Sequence, residues 1–166
     1  MEKYQDSFNR IDDQITGFMI RHGITFLRVS LGIVFLWFGF LKFFPGLSPA
    51  QGLATQTIEV LTFGFIQSEV SIIILATWET LIGIGLITGW YLRITLLLLF
   101  VQMLGTMTPL FLFPQEAFTQ FPYAPTLEGQ YIIKNLVLIS AGMVIGATVR
   151  GGRIVEDRRQ PATANG

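Results

Sequence analysis

Residues 76–89 read ATWETLIGIGLITG. The stretch is apolar enough to sit in a bilayer, yet it carries Glu79 near its middle. A carboxylate at that depth costs roughly 2.5–3.5 kcal/mol on insertion scales. It is tolerated when protonated, or when a cation or a water-lined cavity receives it. The rest of the chain is therefore read for what it offers that side chain.

The 166 residues have a mean hydropathy of +0.57, and 13% of them are charged, against about 25% in an ordinary soluble domain. Net charge is zero, so there is no electrostatic case for nucleic acid. The absence of cysteine excludes disulfides, thiolate nucleophiles and Cys-ligated clusters or haem. His22 is the one histidine, so no multi-His metal site is expected. A stand-alone enzyme is disfavoured, and any redox role must draw on a bound cofactor or a partner subunit. The N-terminus lacks a signal-peptide layout, and Glu2, Asp6, Asp12 and Asp13 argue against a transit peptide.

Outward from residues 76–89, hydropathy predicts four spans: about 24–44, 70–89, 92–113 and 131–149. The expected fold is an all-α membrane protein, a four-transmembrane-helix bundle over residues 23–150. An N-terminal amphipathic helix over 1–22 carries Tyr4, Phe8, Ile11, Ile15 and Met19 on one stripe. That stripe suits an interfacial helix lying on the membrane or a cap packed on the bundle or a partner. Phe44-Pro45-Gly46 breaks the first span. Ser48-Pro49-Ala50-Gln51 reads as a capping box opening a short outer-interface helix between spans one and two. Pro109 should kink the third span. Residues 113–130, with three prolines, read as an irregular loop, and 151–166 as a disordered tail. Lys3, Arg10, Arg21, Arg93, Arg150, Arg153, Arg158 and Arg159 fall on one side of the spans, and the opposite loops hold no Lys or Arg. Both termini are thereby expected to be cytoplasmic.

Polar groups inside the spans define the candidate site. Arg28, Gly32, Phe35, Gly39 and Lys42 share one face of the first span, and the glycines suggest that this face meets another helix. Snorkelling to the interface is the favoured account of Lys42, whereas Arg28 suits either snorkelling or burial. Gln102, with Thr106 on the same face, suits an interhelical hydrogen bond. Lys134 and Asn135 lie one turn inside the fourth span. A buried chain of Arg28, Glu79, Lys134 and Asn135, with Gln102 nearby, is geometrically possible. It would act either as a static pair fixing helix register or as a ligand or proton site. Gly85/Gly89 and Gly142/Gly146 repeat a small-xxx-small spacing, which suggests that spans two and four pack closely or form a homo-oligomer face.

FLRVSLGIVFLWFGFLKFFPG from 26, WETLIGIGL from 78, Thr108-Pro109, and FPY followed by IIKNLVLISAGMVI together resemble the DoxX-like superfamily, most of all its YkgB-type branch. The resemblance covers roughly residues 24–150. On its pattern Lys42, Glu79, Lys134 and Asn135 are the positions carried over, with Asn135 standing where the branch often has Asp. It implies a four-helix bundle in the bacterial inner membrane, associated with quinone-linked oxidation and oxidative stress. Glu79 and Lys134 would then hydrogen-bond a quinone, with Trp37 and Trp78 packing its ring. The alternatives are a non-catalytic protein holding a lipid or a partner protein, and a small transporter acting as a dimer.

Overall fold

The computed structural model describes residues 2–44, 46–48 and 51–152. Beyond Gly152 the expected tail lies outside the described residues, as do Pro49 and Ala50 of the capping box. The elements are α1 (Glu2–Leu41), α2 (Gln51–Leu61), α3 (Ser68–Thr88), α4 (Leu92–Met107), α5 (Pro109–Leu112), α6 (Pro114–Ala117), β1 (Phe118–Gln120), β2 (Ala124–Pro125) and α7 (Leu127–Thr148). Four stretches are long and apolar enough to cross a membrane: Asn9–Leu41, Ser68–Thr88, Leu92–Leu112 and Leu127–Thr148. They form an all-α membrane bundle in which α1 packs on α3, α3 on α4, α4 on α7 and α7 on α1. Short connections make neighbours antiparallel. One end, here the terminal end, carries the start of α1 and the end of α7. The other, the loop end, carries α2 and the connection from α5 to β2.

Glycine sets the closest contact. A Cβ on Gly32 would stand 2.8 Å from the Ile87 side chain, and one on Gly39 would stand 2.8 Å from Glu79 Cβ and from the Thr80 amide. A Cβ on Gly83 would lie 2.7 Å from Leu36 Cα. The backbones of α1 and α3 therefore touch along the face that sequence spacing marks on α1.

The other glycine pairs go elsewhere than their spacing suggested. Gly85 is filled by Thr95 of α4, and Gly89 lies under the Arg28 guanidinium. Gly142 packs on Leu99 and Phe100, and Gly146 on Leu96. Spans two and four are diagonal, so neither pair joins them, and neither is an open face for a second copy. A small-residue period shows which face of a helix is thin, but not which helix fills it.

Three further differences concern local structure. α1 runs unbroken from Glu2 to Leu41, roughly 60 Å at 1.5 Å per residue. It has no hinge at which residues 1–22 could turn to lie flat. Pro109 interrupts the helical hydrogen bonding of the third span between α4 and α5, while Thr108 keeps helical dihedrals and the span runs on to Leu112. The stretch expected to be irregular holds α6 and the antiparallel pair β1–β2. Pro125 is tolerated there because a two-stranded ribbon leaves an edge position that needs no N–H.

Core side chains gather in the terminal half. Leu31, Phe35, Ile82, Leu86, Leu96, Leu99, Met103, Ala141 and Ile145 form one buried cluster. In the loop half α2 packs against α3 with Leu53, Thr55 and Thr57 buried, above the fully buried Ser71. Their hydroxyls are satisfied within their own helices: Thr57 Oγ1 donates to Leu53 O at 2.6 Å and Ser71 Oγ to Ser68 O at 2.8 Å.

Gly83→Ala is expected to separate α1 from α3 and lower the unfolding midpoint in detergent, because backbone atoms of Leu36 must retreat. Gly105→Ala, with nothing within 4 Å of the added carbon, should be neutral or gain roughly 0.5–1 kcal/mol. Equal midpoints for the two variants would contradict the close approach.

Candidate functional site

Glu79 sits near the middle of α3 on the face turned into the bundle, and the residue is 8% exposed. Its Oε2 accepts from Lys42 Nζ at 2.6 Å, and its Oε1 accepts from Gln102 Nε2 at 2.7 Å. The Lys42 and Glu79 side chains are 13% and 11% exposed. Antiparallel register explains the meeting. Gly39 lies level with Glu79, so Lys42, just past the end of α1, folds back about one turn to reach the carboxylate. Lys42 Nζ also approaches Phe38 O at 3.4 Å, a marginal bond. Beside the pair, Thr80 Oγ1 is buried with no hydrogen-bond partner.

The polar layer continues past Gln102. One turn further along α4, Thr106 Oγ1 accepts from Asn135 Nδ2 at 3.3 Å. Lys42, Glu79, Gln102 with Thr106, and Asn135 thus place one polar group or more on each of the four spans, all in the loop half or at its boundary.

Arg28 and Lys134 are not brought to Glu79. Arg28 Nη1 donates to Leu86 O at 2.7 Å and to Ile87 O at 3.3 Å. It satisfies the last carbonyls of α3, where a helix end leaves acceptors free and favours a cation. Lys134 is exposed, with Nζ 5.5 Å from the Tyr131 ring centroid. The cation snorkels from span four rather than pairing. Lys42, for which snorkelling is the favoured expectation, is the partner of the acid, and Arg28, left open between snorkelling and burial, closes a helix end.

Trp37 and Trp78 do not share a pocket. Trp37 lines an apolar groove of about 500 Å³ with Ile33, Leu36, Phe40 and Leu41. Trp78 lines another of about 300 Å³ with Ile73, Ile74, Thr77, Leu81 and Leu98, and its Nε1 donates to Leu98 O at 3.1 Å. A single ring cannot be held between two indoles on different grooves. Among the described residues no group of three or more His, Cys, Asp or Glu could hold a metal.

With that geometry in view, the DoxX family model matches residues 23–115, more than half of the chain. The match contains Arg28, Lys42, Glu79 and Gln102 and ends before Lys134 and Asn135. No curated protein and no solved structure matches the chain.

Glu79→Gln alone strands the Lys42 ammonium at its buried position. It should destabilise the bundle by roughly 3–5 kcal/mol, because removing one member of a buried pair leaves an uncompensated charge. Lys42→Met combined with Glu79→Gln should recover most of that loss. Unfolding of the two single variants and the double variant in detergent measures the coupling, and additive effects would show that the pair is not formed.

Proposed function

The chain belongs to the DoxX family, and on that footing we propose that it is an accessory subunit of a quinone-linked redox or oxidative-stress system. It lies in the bacterial inner membrane, in the YkgB-type branch, with both termini cytoplasmic. The orientation is read from Arg10, Arg21, Arg93 and Arg150, which stand at the terminal end and outnumber Lys42, paired with Glu79 just past α1, and Lys134, one turn inside span four, at the loop end. One observation carries the functional reading. The Lys42–Glu79–Gln102 cluster stands at mid-bundle, entered by Lys42 from the loop side, while the terminal half is filled by the apolar core.

A ligand of such a site would approach from the loop end. An ammonium has three N–H groups. Those of Lys42 meet Glu79 and, weakly, Phe38 O, which leaves one for an acceptor oxygen arriving from the loop end. Thr80 Oγ1, buried without a partner, lies against Gly39 in the α1–α3 contact rather than facing the ligand. The remaining N–H of Lys42 fits a carbonyl oxygen. A quinone, when bound, supplies the electron-carrying chemistry that a chain without cysteine lacks. The residues themselves do three things: Lys42 donates to the oxygen, Glu79 holds Lys42 in place and balances its charge, and Gln102 fixes the Glu79 carboxylate. Lys134, exposed on span four, takes no part.

A second reading has its own observation. Phe63 and Phe65 are almost fully exposed at the loop end, and Phe121 and Tyr123 largely so. These aromatics suit a partner protein docking there without chemistry. A transporter is disfavoured by the packed terminal half, which presents no path past Ile82, Leu86 and Leu99.

Native mass spectrometry in lipid nanodiscs from quinone-replete membranes tests the first reading. The protein should carry a quinone mass. Lys42→Met/Glu79→Leu, which replaces the pair by apolar groups, should lose that mass with unchanged helicity. A bare protein, or a double variant that retains the quinone, would sink the reading. Capture of a partner through residues 113–126 that survives in the double variant would favour docking.

A further inference from the structure

Trp78 stands immediately before Glu79 on α3, and its hydrogen bond runs to the same turn of α4 that supplies Gln102. The indole Nε1 donates to Leu98 O at 3.1 Å. In an α-helix the carbonyl of residue 98 also accepts the N–H of residue 102, and α4 is helical throughout Leu92–Met107. A carbonyl oxygen has two lone pairs, so Leu98 O can serve both donors. The Gln102 side chain then closes the circuit, with Nε2 donating to Glu79 Oε1 at 2.7 Å. Two adjacent residues of α3 thus grip one turn of α4, Trp78 by its backbone and Glu79 by its side chain.

Register puts these groups level. Gly85 of α3 is filled by Thr95 of α4. Seven residues back from Gly85 is Trp78, and seven on from Thr95 is Gln102. Seven residues are close to two turns, so each pair shares a stripe of its own helix. The carbonyl of Leu98 points along α4 toward Gln102, which brings it within reach of the indole. Trp78 and Leu98 both line the outward groove and pack on the edge of the core, whereas Gln102 and Glu79 are buried. At this depth no water competes for the indole N–H, which needs an acceptor.

We propose that Trp78 is a positioning residue for the buried acid: its N–H fixes the Leu98–Gln102 turn of α4 and so sets where the Gln102 amide meets the Glu79 carboxyl. The single bond from Gln102 to Glu79 leaves α4 free to turn about its axis, and a second bond on the adjacent side removes that freedom. Ring volume alone does not supply this. The assignment goes beyond the reading of a ligand site and stands whatever binds at Glu79.

Infrared spectra of the protein in nanodiscs, without added quinone, test it. The band that vanishes in Glu79→Gln identifies the Glu79 carboxyl. Gln102→Leu removes its amide donor and should shift that band. Trp78→Phe keeps a ring in the groove but loses the N–H, and should shift the band in the same direction. Trp78→Phe combined with Gln102→Leu should shift it no further than Gln102→Leu alone. Trp37→Phe, on the other groove, should leave it in place. The proposal is overturned if Trp78→Phe or Gln102→Leu leaves the band unmoved, if their shifts add, or if Trp37→Phe shifts it equally. A second measurement keeps Trp78 itself. In Trp37→Phe/Trp90→Phe it is the one indole left of three, and ultraviolet resonance Raman reads its N–H bond. Adding Gln102→Leu should weaken that bond, and an unchanged indole signal would overturn the link even where Trp78→Phe fails to fold. Either failure bears on Trp78 and leaves the quinone reading standing.

Discussion

A carboxylate can be kept in the middle of this bundle because two helix backbones touch. Gly32, Gly39 and Gly83 remove the side chains that would hold α1 and α3 apart. Only at that separation does Lys42, past the last turn of α1, reach back to Glu79. The ion pair and the glycine contact are one feature: widening the contact by a methyl group would draw the ammonium away from an acid that water does not solvate. Desolvating both charges is costly, and attraction offsets it only where geometry is good and the remaining lone pairs are met. Gln102 meets one of them from α4, so the third span is recruited to the same bond.

That arrangement divides the bundle along the membrane normal. The terminal half is filled by branched and aromatic side chains, and Arg28 closes the end of α3 there. Polar side chains are concentrated in the loop half, beneath α2 with its buried threonines. Charged or amide groups at membrane depth are costly unless they meet one another, as Lys42, Glu79 and Gln102 do here. That placement, from mid-bundle toward the loop end, is what the proposed ligand site rests on.

How much of this was legible in the sequence differs from one element to the next. Hydropathy gave the spans, since length and composition are local properties. Glu79 was conspicuous because charge in an apolar run needs no partner to be noticed. Its partner was hidden. Lys42 stands at a span end, where snorkelling is the ordinary explanation, and only the antiparallel register of α1 against α3 shows that a residue past the helix end falls level with mid-span. Arg28, the more deeply placed cation by count, turned out to meet carbonyls instead, because α3 ends level with it. Gly32 and Gly39 were marked as a packing face. For Gly85 and Gly142 the wrong partner was inferred, because spacing carries no information about ring order. The continuity of α1 escaped notice for a simpler reason. The shift from polar to apolar residues near 22–24 looks like a boundary, but no Pro falls there, and helices end on backbone signals rather than on changes of solvent.

α1 therefore presents two distinct faces. One face, thinned by glycine, holds α3 and delivers Lys42 to the acid. The other carries Ile33, Trp37 and Phe40 and is turned outward. Because a helix is stiff about its own axis, these faces cannot move independently. A twist of α1 rotates Gly39 against Thr80 and moves Lys42 relative to Glu79. Anything that turns the outer face would thus shift the rotation of α1, and with it the 2.6 Å bond on which the buried carboxylate depends. Coupling of this kind needs no path of side chains across the bundle, since the helix is itself the rigid element shared by both faces.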